Sequence, residues 1–137
     1  MAGLEIVTRE ETTAAAVRPD PGAAVLYVCA ERGILTPALP AERAEEEGRA
    51  YAAARGLRIA EVCRDPYGVP DPQHRDGWQR VRQLVEAGTA AAVITRWPES
   101  LAPHTEPDLR HREIRWLQDH GVRVWYSWAP LAAQDRR

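Results

Sequence analysis

Residues 23–28, Ala-Ala-Val-Leu-Tyr-Val, form a short, unbroken apolar run. Its length and β-branched content suit a strand buried on both faces. In a parallel sheet, chemistry gathers just beyond the carboxyl ends of the strands. The five residues leaving this strand, Cys29-Ala30-Glu31-Arg32-Gly33, are therefore the first place to look. They hold a glutamate and an arginine, and no serine, threonine or histidine.

Further along, apolar runs alternate with helical periodicity. The residues predict a helix over 41–55, rich in Ala and Glu, with Gly56 as its stop. Its inner face, Ala41, Ala44, Gly48, Tyr51 and Ala52, is mostly small. A strand follows over 57–63, with Leu57, Ile59 and Val62 as core candidates. The loop 64–74 carries three prolines. The second helix, 76–87, presents an apolar stripe of Trp78, Val81, Leu84 and Val85. A buried strand at 90–94 and a proline-punctuated loop lead to a third helix over 106–120. There Thr105 and Asp108 have capping-box spacing. The fourth strand is 122–126. This order predicts an α/β fold of three layers with a mostly parallel, four-to-five-stranded sheet.

The expected organisation is a flexible N-terminal arm over 1–22, a domain over 23–130 closed by Pro130, and a C-terminal tail over 131–137. Residues 4–7, Leu-Glu-Ile-Val, could add an edge strand. A chain of 137 residues suffices for one domain with a real core. A net charge of −2 gives no basic balance to advertise nucleic acid. Cys29 and Cys63 are too few for a disulfide framework and read as buried thiols. No apolar run is long enough for a membrane helix, and the N-terminus lacks a signal-peptide core, so a cytoplasmic location is expected.

The motifs in this order resemble the catalytic domain of the serine recombinases, the resolvase and invertase family. The family's first strand, Tyr-Ala-Arg-Val-Ser, has its counterpart in Tyr27-Val28-Cys29-Ala30-Glu31. The end of its first helix has one in Arg49-Ala50-Tyr51-Ala52-Ala53-Ala54-Arg55-Gly56. An Asp-containing loop and an Arg-Pro-Gly-Leu helix start correspond to Asp65 and to Arg75-Asp76-Gly77-Trp78. The Asp-Arg-Leu-Ser-Arg motif corresponds to Thr95-Arg96-Trp97-Pro98-Glu99, and a Gly-Val-x-Val strand to Gly121-Val122-Arg123-Val124. The likeness covers about 23–126.

The resemblance implies a resolvase-like fold and a chemistry in which a serine attacks a DNA phosphate while arginines stabilise the transferring phosphoryl group. Residue by residue, that chemistry is dismantled. The nucleophile position is Glu31; Cys29, Thr95 and Glu99 are altered; Tyr27 and Asp65 are retained. Two cations are lost and two anions gained, which reverses the field around a phosphate. The serines are Ser100, which follows the degraded arginine motif, and Ser127. The family also continues into a long helix and a separate DNA-binding domain. Nine residues follow Trp128 here, with Pro130 among them, so neither is expected.

The leading expectation is a non-catalytic protein-interaction or DNA-associated regulatory module. The alternatives are a DNA recombination enzyme of the site-specific type and a small-ligand or nucleotide-binding α/β domain. Arg32, Arg75 and Arg96 would converge at the strand ends, either as a residual phosphate site or as partners of Glu31, Glu99 or Asp65. Trp97 and Trp128 are candidate interface residues. His104, Asp108, His111 and Glu113 read as a solvated polar face; no metal and no cofactor are expected. The expected partner is a protein, with weak non-specific DNA contact and a homodimer as open alternatives, and no membrane.

Overall fold

The computed structural model describes residues 18–134. Residues 4–7 lie outside them. Four strands form one sheet: β1 (Ala23–Ala30), β2 (Arg58–Pro66), β3 (Ala92–Thr95) and β4 (Arg123–Tyr126). Their order is β2-β1-β3-β4, and every pairing is parallel. The helices are α1 (Leu39–Ala54), α2 (Asp76–Glu86), α3 (Pro107–Asp119) and the short α4 (Ala129–Gln134).

The central strand explains the layers. β1 is buried from Ala23 to Cys29, so both of its faces need cover. Ala23, Val25, Tyr27 and Cys29 point one way, into a core shared with Trp78, Val81, Leu84 and Val85 of α2 and Leu117 of α3. Ala24, Leu26 and Val28 point the other way, against Ala44, Tyr51 and Ala52 of α1. The connection to β2 moves to one side of β1, and the next two move to the other. Right-handed crossovers then place α1 opposite α2 and α3. The sequence reading of a three-layer α/β fold holds, with four strands among the described residues.

Two local features account for residues the sequence left ambiguous. On α1, the small inner face has a specific cause. A Cβ at Gly48 would lie 2.3 Å from Leu26 Cδ1, so the helix sits directly on the β1 leucine. On β2, Ile59 and Val62 have opposite parity yet share one core. The register shifts between Ala24 and Val25, which oppose Ile59 and Glu61, leaving Ala60 as the extra residue. This bulge reverses the alternation and brings Val62 to the α1 side.

Several boundaries differ from expectation. The chain is already held to the domain at residue 20: Asp20 N–H donates to Gly88 O at 3.2 Å, and the Asp20 side chain pairs with Arg58 at 2.7 Å. The capping box at Thr105 and Asp108 does not form. Helix α3 starts after Glu106, with no side-chain cap and with Pro107 as its first residue; proline's fixed φ pre-sets that turn. Pro130 likewise sits in the first turn of α4 instead of closing the domain. A first-turn proline has no intrahelical hydrogen bond to lose. Ala132 of α4 packs on the α1 side of the core.

The expected solvated face of α3 needs the largest correction. Glu113 is fully buried. It accepts from Trp78 Nε1 at 2.7 Å, Arg112 Nε at 2.7 Å and Gln73 Nε2 at 3.3 Å. A buried carboxylate is tolerable only when its oxygens are occupied in this way. Here it ties α3 to α2 and to the turn before it. Glu113→Ala leaves the indole N–H of Trp78 buried without an acceptor and should cost about 3 kcal/mol of stability. Glu113→Gln, which keeps one acceptor, should cost less. Urea unfolding of the two variants checks the order.

Candidate functional site

The order β2-β1-β3-β4 places a topological switch between β1 and β3. In open parallel sheets, ligands settle in the crevice beyond the strand ends at such a point. A cavity of about 710 Å³ lies there. Its lining comes from the exit of β1 (Cys29, Glu31, Arg32, Ile34), the loop after β3 (Arg96, Trp97, Glu99, Ser100) and two aromatics, Tyr67 and Trp128. The rim is apolar and open to solvent: Ile34 is 98% exposed, with Tyr67 and Trp128 also exposed.

Beneath the cavity lies a polar cluster built on Tyr27, Asp65 and Arg75. Tyr27 donates its hydroxyl to Asp65 Oδ2 at 2.8 Å. The same carboxylate accepts the backbone N–H groups of Gly77 and Trp78, both at 2.8 Å. Helix α2 has no cap from its own N-cap residue, Arg75. Asp65 supplies one from the end of β2, where a carboxylate meets the orphan donors and positive end of the helix. The close approach demands Gly77, because a Cβ there would lie 2.2 Å from Arg64 O.

Arg75 completes the cluster and is 3% exposed. Its guanidinium donates to Val69 O at 2.8 Å, Ser100 O at 2.7 Å and Tyr27 Oη at 3.2 Å. It therefore ties the loops after β2 and β3 to the central strand. Arg75 does not line the cavity; Arg32 and Arg96 do. Nor are the pairings those expected from sequence. Arg75 binds backbone carbonyls, and Arg96 lies 3.6 Å from Glu47 and 4.4 Å over the Trp97 ring. Trp97 in turn meets Trp128 edge to face, with centroids 5.7 Å apart.

Thr95 and Cys29 have structural roles too. Thr95 is buried, and its hydroxyl donates to Tyr27 O at 2.9 Å, joining β3 to β1. Cys29 is buried on the α2 side of β1. Burial pushes its thiol up from the usual range, against the opposing pull of Arg75. Burial also pushes the Tyr27 hydroxyl far up, so it stays a donor to Asp65. Cys63 is raised to about 12 by burial and by nearby Glu61. Reactivity belongs to the thiolate, so neither cysteine is a ready nucleophile. Ser100 is 1% exposed and lines the cavity, and its Oγ has no hydrogen-bond partner. Sequence reasoning singled out its hydroxyl but had no signal for its burial. The cavity wall from Tyr67 and Ile34 was missed entirely, because each is a lone residue in a loop.

Among the described residues, no three His, Cys, Asp or Glu side chains group as a metal site requires. No described helix is long and apolar enough to cross a membrane.

The fold is that of serine recombinase catalytic domains. The C-terminal catalytic domain of ISC1926 TnpA, an IS607-like serine recombinase, superposes with a TM-score of 0.67 at 18% identity, covering 83% of this chain and 76% of that one. The N-terminal catalytic domain of TP901-1 integrase superposes with a TM-score of 0.61 at 13% identity, covering 77% of this chain and 76% of that one. No protein-family model matches the sequence, and no curated protein matches it.

Two outcomes check this geometry. Asp65→Ala removes the acceptor of three donors and should cost about 3 kcal/mol, whereas Asp65→Asn should cost less; chemical denaturation measures both. At about pH 8, iodoacetamide should leave both thiols of the folded protein unmodified over minutes and alkylate both in urea. Because folding raises the Cys63 pKa, its contribution to stability is full below 9.0 and is lost as pH rises toward about 12.

Proposed function

We propose that the chain is a serine-recombinase-like domain that does not exchange DNA strands and serves as a non-catalytic interaction module. The observation that carries this reading is Glu31 at the exit of β1, where the resemblance puts the nucleophile. A carboxylate there brings negative charge to a phosphate, and Glu99 in the same cavity brings more.

The surroundings support the reading. The retained arginine, Arg75, spends its donors on backbone carbonyls and is closed off from solvent. Ser100 has the hydroxyl that chemistry would need, but no base holds it, since its Oγ has no hydrogen-bond partner. Apolar side chains are exposed at the same end of the sheet: Ile34, Leu35, Tyr67, Val69 and Trp128. Such a group suits contact with another protein more than contact with a phosphate backbone.

The test is covalent capture. Wild-type protein is incubated with duplex DNA and run on a denaturing gel. No protein–DNA adduct is expected, and none from Glu31→Ser, because Cys29 and Glu99 are unchanged. An adduct formed by the wild type would overturn the reading in favour of a recombination enzyme.

A further inference from the structure

Two residues lining the cavity between β1 and β3 each carry a buried polar atom that the fold leaves without a hydrogen bond. Ser100 Oγ and Arg96 Nε are both buried, and neither has a hydrogen-bond partner. Buried polar groups without partners are rare and costly. Glu47 approaches Arg96 Nε only to 3.6 Å, and its Oε1 already accepts from Ser127 Oγ at 3.1 Å. Both residues line the same cavity. Both atoms can donate, so what they lack is an acceptor.

The other walls describe the rest of the ligand. Trp97 and Trp128, packed edge to face, offer aromatic surface, and Tyr67 and Ile34 add to it. The volume of about 710 Å³ falls within the range of small-molecule sites, about 300–1,000 Å³. Charge sets the final limit. Arg32, Arg96, Glu31 and Glu99 all line the cavity, two cations against two anions, and Glu47 also lies 3.6 Å from Arg96. A phosphate dianion would meet two carboxylates; a monoanion needs one guanidinium and one hydroxyl.

We infer that this cavity binds a small aromatic carboxylate, with the carboxylate on Arg96 and Ser100 and the ring against Trp97 and Trp128. The inference goes beyond the loss of strand exchange and does not rest on it.

Calorimetry with three indoles tests it: indole-3-propionate (an anion), L-tryptophan (a zwitterion) and tryptamine (a cation). Both carboxylate-bearing probes should bind, and tryptamine should not. Arg96→Gln should weaken indole-3-propionate about tenfold and Ser100→Ala about fivefold. Trp128→Ala changes an exposed side chain, so the fold should survive it, and it should weaken both carboxylate-bearing probes. Arg123→Gln, at the opposite end of the sheet, should change nothing. Circular dichroism of each variant keeps misfolding apart from lost binding. The inference is overturned if tryptamine binds as well as the acids, if no probe binds, or if folded Arg96→Gln and Trp128→Ala bind as the wild type does.

Discussion

The carboxylate of Asp65 is the point on which this molecule turns. It takes the hydroxyl of Tyr27 and the first free N–H groups of α2. One side chain thereby sets the position of the central strand, the end of the edge strand and the start of a helix. Arg75 then adds the two loops that border the cavity, through Val69 O and Ser100 O. Charge-assisted hydrogen bonds of this kind are about twice as strong as neutral ones, and burial strengthens them. The cavity floor is therefore rigid, while the rim, carrying Ile34 and Trp128, stands in solvent.

This division separates the side chains that tie the strands and loops together, Asp65 and Arg75, from those that stand in the cavity. Glu31 and Glu99 occupy the cavity wall, where a carboxylate stays hydrated and costs little. No such substitution is available to Asp65 or Arg75 without leaving buried donors or carbonyls unpaired.

Much of the fold was legible in the sequence, for identifiable reasons. Residues 23–28 could only be a strand covered on both sides, and the Trp78, Val81, Leu84 and Val85 stripe could only be a helix facing it. The small face of α1 was visible, although its cause, Leu26 beneath Gly48, was not. What escaped were relations across the chain. The cap on α2 comes from a residue 12 positions before Gly77. Glu113 looked like a surface charge because its partners, Trp78 and Gln73, belong to other segments. In the site, the gathering of Glu31, Arg32, Arg96 and Glu99 at the strand ends was legible in the sequence. That Arg75 turns inward while Arg96 stays in the cavity was not, since neither the start of a helix nor the exit of a strand fixes which way a long arginine turns.

The bulge at Ala60 has a consequence for how β2 can vary. It makes the two halves of the strand count from different origins, so Ile59 and Val62 meet α1 together. Losing that one residue would not merely shorten the strand. Downstream of it, Cys63 and Asp65 would trade faces with their neighbours, and the helix cap would point into the wrong layer. The edge strand is thus tolerant of side-chain exchange on its outer surface and intolerant of any change in length.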